Sequence, residues 1–197
     1  MKNKIIDQLI SVGAVKFGEF TLKSGIISPI YIDLRIIVSF PDLLRNIAGV
    51  LVESTKELDY QIIAGVPYTG IPIATAVSLL NNMPMIYNRK EKKTYGTGKQ
   101  IEGLWKRGDK ILVIDDLITN GESKLEVFDL FQQSGLVVHD AVVLIDREQG
   151  GQQRLEQEGY ELHSLISVFE IIDRLRSLNQ IDEKRYNELN EFINQTR

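Results

Sequence analysis

The sequence predicts one α/β domain with a mostly parallel central sheet flanked by helices. Two observations lead to this prediction. Short runs of consecutive apolar residues, typical of strands buried on both faces, alternate with longer segments of helical periodicity. The chain has 197 residues, a length that suits a single domain. We expect a hood and N-terminal helix over about 1–40, a core over about 41–167 and C-terminal helices over 168–197.

The elements follow in order from the N-terminus. Apolar residues recur with helical spacing at Ile5, Ile6, Leu9 and Ile10, which predicts an amphipathic helix over 3–13. Two short extended pieces, EFTL and IYIDL, come next. Strands are then predicted at 61–66, 84–88, 110–115, 139–146 and 161–167, with helices near 41–57, 70–81, 122–134 and 150–158. The tail, 168–196, indicates two more helices separated near 177–181.

The composition excludes several classes of protein. The chain has no cysteine, which rules out a disulfide scaffold and a cysteine nucleophile, and only His139 and His163, which disfavours a multi-histidine zinc site. The N-terminus resembles neither a signal nor a transit peptide, and no apolar run approaches the length of a membrane span. The net charge of −4 lacks the overall basic excess that is typical of proteins that bind nucleic acids. We therefore expect a cytoplasmic protein that binds neither membranes nor nucleic acid.

The segment VIDDLITNGES places two acids where a predicted strand ends, followed by a turn rich in hydroxyl groups and then a helix. Backbone N–H groups at such a helix start form a cradle for phosphate. The carboxylates of Asp115 and Asp116 suit the hydroxyls of a ribose or a bound cation, either of which would offset their mutual repulsion. The alternative is that the two acids are ordinary turn residues and Glu122 complements the helix dipole.

Two further segments extend this interpretation. GVPYTGIPIA, residues 65–74, is again a strand followed by a glycine turn and a helix, where an anion such as pyrophosphate would fit. The chain contains neither a Walker A sequence nor G-x-G-x-x-G, which counts against NTPases and dinucleotide enzymes. NRKEKKTYGTGK, residues 88–99, carries a local net charge of +4 and could close over polyphosphate, although a charge run is more often a solvated surface.

A fourth segment lies early in the chain, at FTLKSGIISPIYIDLR, residues 20–35. A turn at Lys23–Gly25 separates two extended pieces, and Tyr31 with Ile32 offers a flat apolar surface. The alternative for this segment is an edge hairpin with a solvated lysine.

Together these segments resemble the orotate phosphoribosyltransferases, a branch of the type I phosphoribosyltransferases. VIDDLITNGES is similar to the family's phosphoribosyl diphosphate motif, in which two acids precede a T-x-G turn. LKSG, SPIYID, GVPYTGIPIA, NRKEKKTYG and IDREQGG narrow the resemblance to the orotate branch over nearly the whole chain. Tyr95 and the DREQGG segment at 146–151 resemble the orotate domain of bifunctional UMP synthases. The type I phosphoribosyltransferase fold is therefore expected, with a small N-terminal hood.

The resemblance implies which residues contact the orotate ring and which contact the diphosphate of the donor. The orotate ring would contact Tyr31, Ile32, Thr119 and Arg147. The diphosphate of the donor would contact Lys23, Tyr68, Thr69, Arg89, Lys90, Lys93 and Tyr95. Many relatives carry histidine where this chain has Tyr95. Lys93 joins Asp115 and Asp116 in the implied catalytic set.

The resemblance also implies a binding segment for the ribose 5-phosphate. Its members are Asp115, Asp116, Leu117, Ile118, Thr119, Asn120, Gly121, Glu122 and Ser123. Asp115 and Asp116 would meet the 2- and 3-hydroxyls. Asn120 and Glu122 stand where relatives more often carry small residues. Since a carboxylate near phosphate is repulsive, Glu122 is compatible with this role if its side chain faces solvent and its N–H faces the ligand.

These assignments imply an enzyme that makes orotidine 5′-phosphate and pyrophosphate from orotate and phosphoribosyl diphosphate in UMP synthesis. They imply Mg²⁺ carried mainly by the substrate, with Asp115 and Asp116 as candidate protein ligands. A homodimer whose basic loop reaches the neighbouring site and a separate orotidylate decarboxylase are the expected partners. At 197 residues, the chain has no room for a decarboxylase barrel of its own. The alternatives are a purine or uracil transferase, or a phosphoribosyl-diphosphate-binding regulator.

Overall fold

A computed structural model describes residues 1–21, 25–90 and 100–196. The strands are β1 (Val15–Thr21), β2 (Ile27–Ile32), β3 (Ile62–Gly65), β4 (Met85–Asn88), β5 (Ile101–Glu102), β6 (Lys110–Ile118), β7 (Val137–Asp146) and β8 (Glu161–Ser167). The helices are α1 (Lys2–Ser11), α2 (Pro41–Thr55), α3 (Gly70–Asn81), α4 (Glu122–Gln133), α5 (Gly151–Gln157), α6 (Val168–Ser177) and α7 (Glu183–Gln195), with a 3-10 helix at Leu34–Ser39.

The main sheet has six strands in the order β5-β4-β3-β6-β7-β8. Every neighbouring pair is parallel except β4 and β5, which run antiparallel at one edge. The other two strands, β1 and β2, form a separate antiparallel hairpin, which is the hood. This architecture confirms the α/β fold class with a mostly parallel sheet.

Helices cover both faces of the sheet because its central strands bury alternate residues on opposite sides. In β3, Ile63 belongs to the core layer that also contains Ile73 of α3, whereas Ile62 belongs to the opposite layer with Phe128 of α4. All four residues of β3 are buried, as expected for a strand covered on both faces. The continuous apolar runs in the sequence result from this double burial.

The N-terminal and C-terminal helices pack against one another on the first of these layers. Asp7 of α1 accepts a bidentate pair of hydrogen bonds from Arg174 of α6, at 2.7 and 2.8 Å, and Lys2 donates to Glu170. Helix α6 begins with a capping box in which Ser167 and Glu170 bond each other's main chain. None of the helices in the described ranges is long and apolar enough to cross a membrane.

Strand β6 is longer than the sequence indicates. The apolar run predicts that it ends at 115, but its pairing with β7 continues from Asp115, opposite Val143, to Ile118, opposite Asp146. The two adjacent acids therefore lie within the strand, not after it. The physical reason is non-local, because the longer β7 supplies main-chain partners as far as residue 118.

Candidate functional site

The carboxyl ends of β6 and β7 border a cavity of about 970 Å³ beside the hood. In parallel sheets, ligands bind at this edge. The cavity is lined by Thr21, Ile26, Tyr31, Thr119, Asn120, Glu122, Ser123, Glu126, Arg147, Gln149, Gln195 and Thr196. The hood, the turn after β6, the residues after β7 and the end of α7 thus share one space. It is large enough for a nucleotide-sized ligand.

Arg147 is the most unusual side chain in this cavity. It follows directly after β7, and its main-chain N–H donates to the Ile118 carbonyl at 3.0 Å. Its side chain is buried, yet Nε and Nη2 have no hydrogen-bond partner among the residues the structure describes. Burial lowers the pKa of the guanidinium, and interaction with Tyr31 opposes this shift. A buried cation without a partner is costly, so the site is suited to an anionic ligand.

Tyr31 lies across the cavity from the sheet, on β2 of the hood. Its ring stacks on Phe20 with centroids 5.3 Å apart, and its hydroxyl accepts a hydrogen bond from Arg35 Nη2 at 3.0 Å. Arg35 is held in turn by Asp33, whose Oδ1 accepts from Nε at 2.8 Å. The position of the Tyr31 ring is therefore set by two independent contacts.

Ile32 alternates with Tyr31 along β2, so its side chain points to the other face of the hairpin. That side chain is buried in the hydrophobic core at 7% exposure. The prediction that Tyr31 and Ile32 together form one flat apolar surface is therefore wrong. Ile32 could meet a ligand only through its main chain.

The turn after β6 presents its main chain at the start of α4. Gly121 has a φ of 78°, a left-handed conformation that glycine adopts without strain, and it is the N-cap of the helix. Thr119, Asn120, Glu122 and Ser123 line the cavity. Glu122 is exposed, and its N–H donates to Asn120 Oδ1 at 3.3 Å. The N–H groups of Lys124 and Leu125 donate to the Gly121 carbonyl at 3.0 and 3.2 Å. A phosphate at this helix start would therefore replace the bond to Asn120 or use the other N–H groups of the turn.

Leu117 and Ile118 complete the last part of β6 and have a different surrounding. Ile118 is buried in the layer that contains Phe128, and Leu117 packs against the opposite layer. The role that the resemblance gives Ile118 can therefore involve only its main chain, whereas Leu117 is partly exposed.

Asp115 and Asp116 differ sharply in their surroundings. Asp115 is buried, its Oδ2 is 2.5 Å from Lys124 Nζ, and its Oδ1 accepts the Asp116 N–H at 2.7 Å. Burial raises the pKa of Asp115 to about 7, while Lys124 opposes the rise and Asp116 adds to it. Asp116 is only half-buried, and its Oδ1 accepts the Leu117 N–H at 2.8 Å.

Lys124 was missed in the sequence because a lysine near a helix start is usually solvated. One signal was present, since Lys124, Phe128 and Phe131 are spaced four and three residues apart and so share one helix face. All three are buried. Sequence reasoning also missed the contribution of the C-terminus of α7, where Gln195 and the following residue, Thr196, line the cavity.

The turn after β3 lies beside the end of β6. Tyr68 is exposed and Thr69 is buried. A Cβ built on Gly70 would lie 2.6 Å from the Ile114 carbonyl oxygen and 3.0 Å from Asp115 Cα. The start of α3 can approach β6 this closely only because residue 70 has no side chain.

The basic segment, residues 88–99, is described only at its start, residues 88–90. Arg89 Nη1 pairs with Glu102 Oε1 at 2.9 Å, and Lys90 Nζ lies 5.1 Å from the centroid of the Tyr68 ring. Lys93 and Tyr95, together with Lys23 of the hood, lie outside the described residues. Lys90 therefore borders the turn after β3, whereas Arg89 is paired with β5.

A metal ion held by protein side chains alone does not fit this site. Both oxygens of Asp115 are engaged, which leaves Asp116 as the more available acid of the pair. Within the described ranges, the group of three side chains close enough to share an ion is His139, Asp140 and Glu161, near the starts of β7 and β8. The donor set fits Mg²⁺ that brings its own phosphate ligands, since Mg²⁺ commonly binds one or two carboxylates plus substrate phosphates and waters.

The chain is similar to known proteins in both sequence and fold. No family model matches the chain. It is 41% identical over 191 residues to uridine 5′-monophosphate synthase of Bos taurus, covering 96% of this chain and 40% of that protein. It is 40% identical over 173 residues to orotate phosphoribosyltransferase of Pyrococcus horikoshii, covering 87% of this chain and 93% of that protein.

The structure has a similar relative among solved proteins. The UMP synthase of Leishmania donovani superposes with a TM-score of 0.91 at 36% identity, covering 98% of this chain and 42% of that one. The chain thus spans about 40% of the length of the bovine and Leishmania proteins.

Proposed function

The chain belongs to the orotate phosphoribosyltransferase family, and from that premise we propose that it transfers the phosphoribosyl group of 5-phosphoribosyl 1-diphosphate to orotate. The products would be orotidine 5′-phosphate and pyrophosphate, on the route to UMP.

The observation that carries this proposal is the buried guanidinium of Arg147, whose Nε and Nη2 have no hydrogen-bond partner among the residues that the structure describes. It faces the same cavity as Tyr31 and Thr119. Orotate is a flat ring with a carboxylate, and a fixed guanidinium can bind a carboxylate with two parallel hydrogen bonds. Tyr31 offers an aromatic surface to the ring. Uracil and purine bases lack the carboxylate and would leave Arg147 without a partner.

The other end of the cavity suits the phosphoribosyl donor. The N–H groups of the turn at 119–123 would hold the 5-phosphate, and Asp116 would accept hydrogen bonds from the ribose hydroxyls. Tyr68, Thr69, Arg89 and Lys90 border the place we assign to the leaving pyrophosphate. The same role for Lys23, Lys93 and Tyr95 rests on the resemblance alone, because these residues lie outside the described ranges.

The chemistry matches these groups. Displacement of pyrophosphate builds positive charge on ribose C1 and negative charge on the leaving oxygens. Cationic side chains next to those oxygens stabilise the charge as it develops, and preorganised donors of this kind are each worth roughly 3–4 kcal/mol. The orotate ring nitrogen is itself the nucleophile, so the reaction needs no nucleophilic side chain.

We propose that Mg²⁺ enters with the diphosphate, with Asp116 as the nearest protein acid. When bound, the ion would neutralise charge on the departing pyrophosphate. Calorimetry should show weak Mg²⁺ binding to the ligand-free protein and strong binding once phosphoribosyl diphosphate is added. Tight stoichiometric Mg²⁺ binding without the diphosphate would contradict a substrate-carried ion.

The assembly is part of the same proposal. The family resemblance supports a homodimer, a cytoplasmic location and cooperation with an orotidylate decarboxylase. The bovine and Leishmania relatives are named as UMP synthases and are more than twice as long as the matched segment. The decarboxylase that completes the route would be either fused to this domain or a separate protein.

A turnover assay tests the proposed function. The purified protein should consume orotate with phosphoribosyl diphosphate and Mg²⁺, and should leave uracil and hypoxanthine unchanged under the same conditions. Turnover of uracil or hypoxanthine in place of orotate would identify another base-specific transferase. Binding of phosphoribosyl diphosphate without turnover of any base would identify a regulator.

A further inference from the structure

The ion pair between Lys124 and Asp115 connects the first turn of α4 to the last part of β6. Lys124 Nζ is 2.5 Å from Asp115 Oδ2, and the two side chains are only 9% and 8% exposed. Lysine is almost never this buried unless it has a charged partner. The position of Lys124 is therefore explained by Asp115.

The side chains of Lys124 and Asp115 bridge the two ends of the turn that borders the cavity. The main chain leaves β6 after Ile118 and enters α4 at Glu122, so residues 119–121 span the interval between the paired side chains. On the far side of Asp115, the start of α3 is close enough that a Cβ on Gly70 would lie 3.0 Å from Asp115 Oδ1. Asp115 is thus enclosed by Lys124, by the start of α3 and by the N–H of Asp116.

Stability is a weak explanation for such a pair. Removing two charges from water is expensive, and a buried ion pair is often no better for stability than apolar residues of the same volume. An apolar side chain at 124 would also match the burial of Phe128 and Phe131 on the same helix face. A pair placed across a ligand-binding turn is better explained by what it positions.

We propose that Lys124 is a positioning residue of the ribose phosphate site. Through Asp115, it holds the turn at 119–121 and the carboxylate of Asp116 in the arrangement that receives the donor. Asp116 is then the acid that contacts the ribose hydroxyls, and Asp115 acts from behind it. This inference rests on the proposed function, because phosphoribosyl diphosphate is the ligand assigned to the turn.

The test compares Lys124→Met, Asp115→Asn and the double variant. Lys110→Met is the matched control, because Lys110 lies at the opposite end of the same strand and forms an exposed pair with Asp59. Calorimetry would give the Kd for phosphoribosyl diphosphate with Mg²⁺, and kinetics the KM for orotate. We expect Lys124→Met to raise that Kd about tenfold, with the orotate KM within about twofold of wild type and the control unchanged.

The double variant separates positioning from independent contact. If Lys124 acts through Asp115, the double variant should bind phosphoribosyl diphosphate no more weakly than the weaker single variant. A loss equal to the product of the two single losses would overturn the proposal, as would a Lys124→Met variant that binds as tightly as wild type. A variant that loses thermal stability but keeps its Kd would also overturn it, since the pair would then be merely structural.

Two further controls keep the result interpretable. If Lys124→Met does not fold, Lys124→Gln, which keeps a hydrogen-bond donor without the charge, takes its place in the same comparison. Turnover of orotate by the wild-type protein is measured separately. Wild-type protein that binds phosphoribosyl diphosphate but does not consume orotate would refute the proposed function, while the comparison of Kd values would still decide the role of Lys124.

Discussion

At the scale of single residues, the site is organised by side chains that the fold holds in place before any ligand arrives. Arg147 is buried with Nε and Nη2 unbonded within the described part of the chain, and Tyr31 is fixed by Phe20 and Arg35. A side chain that is already ordered loses little further entropy when it binds. Under the proposed function, selection of the base would therefore depend on a few rigid contacts.

We expect Arg147→Ala to act mainly on orotate. The orotate KM should rise, or kcat/KM for orotate fall, by about 100-fold, because a charge-assisted bidentate contact is worth on the order of 3 kcal/mol. The Kd for phosphoribosyl diphosphate should change much less. Steady-state kinetics with each substrate varied in turn provide the measurement. Equal losses for both substrates, or no loss, would contradict a role in selecting the base.

Arg147→Lys is the matched control for charge. Lysine keeps the positive charge but not the planar pair of donors. It should therefore recover only part of the orotate kcat/KM. Full recovery would mean that charge alone is required.

The Asp33–Arg35 pair should make stability depend on pH. The hydrogen bond from Arg35 holds the pKa of Asp33 below its usual 3.8, with burial opposing the shift. Because the folded-state pKa is lowered, the carboxylate stabilises the fold above about pH 3.8, and this contribution is lost as the pH falls through the lower folded value. Asp33→Asn should thus be less stable than wild type at pH 6, by at most about 1 kcal/mol, because Arg35 is exposed.

Denaturant unfolding of wild type and Asp33→Asn at several pH values checks this. The difference in unfolding free energy should shrink as the pH falls below 3.8. A difference that stays constant between pH 6 and pH 3 would show that the ion pair is not its source.

The sequence predicted some of these residues and not others, for physical reasons. Arg147 could be placed because it follows a long apolar run, and the end of such a run in a parallel sheet is a binding edge. Lys124 could not, because its burial depends on a carboxylate nine positions away that reaches it only when β6 and α4 pack. Ile32 was misplaced because strand alternation sends its side chain opposite to that of Tyr31.

At the scale of elements, the positions of most helices and strands could be predicted from periodicity alone. Helix α3 and strand β8 have the bounds that the sequence indicates, 70–81 and 161–167. Strand β5, at Ile101–Glu102, could not be predicted, because two residues carry no periodic pattern and the strand exists only through its pairing with β4. The extension of β6 to Ile118 was missed for the same reason, since it depends on β7.

The contact between α3 and β6 gives a prediction for glycine. Gly70→Ala would place a Cβ 2.6 Å from the Ile114 carbonyl oxygen, so the helix start or the strand must shift. We expect a loss of about 1–3 kcal/mol in unfolding free energy. Binding of phosphoribosyl diphosphate should also weaken, because Asp115 adjoins the displaced backbone.

Gly49→Ala provides the control for this substitution. Gly49 lies in α2, where the nearest atom to a new Cβ is Leu80 Cδ2 at 3.9 Å. Alanine should therefore raise the unfolding free energy by up to about 1 kcal/mol, because it is the better helix former. Denaturant unfolding of Gly70→Ala and Gly49→Ala gives the two changes in unfolding free energy. Equal changes would mean that close packing at Gly70 does not cause the expected loss.

At the scale of the whole molecule, the proposed dimer predicts complementation between two inactive variants. Lys93, which lies outside the described residues, is assigned by resemblance to a loop that acts in the neighbouring subunit's site. Lys93→Ala and Asp116→Asn homodimers should each be poorly active. Mixed and re-equilibrated in equal amounts, they should recover about a quarter of wild-type activity, because half the dimers are mixed and half of their sites carry neither change.

The control is a mixture of Asp115→Asn and Asp116→Asn. Both changes fall in the same subunit's half of the site, so mixing should produce no recovery. If subunits demonstrably exchange and the Lys93→Ala mixture also shows no recovery, Lys93 does not act across an interface.

The buried Arg147, whose Nε and Nη2 have no hydrogen-bond partner in the described ranges, also has a consequence for the lifetime of the protein in the cell. A charge removed from water without a partner lowers the free energy of unfolding of the empty form, and an anion that pairs with it returns that free energy on binding. Supply of the base would then govern how long each molecule survives as well as how fast it works. If that anion is orotate, as proposed, molecules deprived of it would open more often and be exposed to proteases, so the amount of intact protein would follow the supply of orotate.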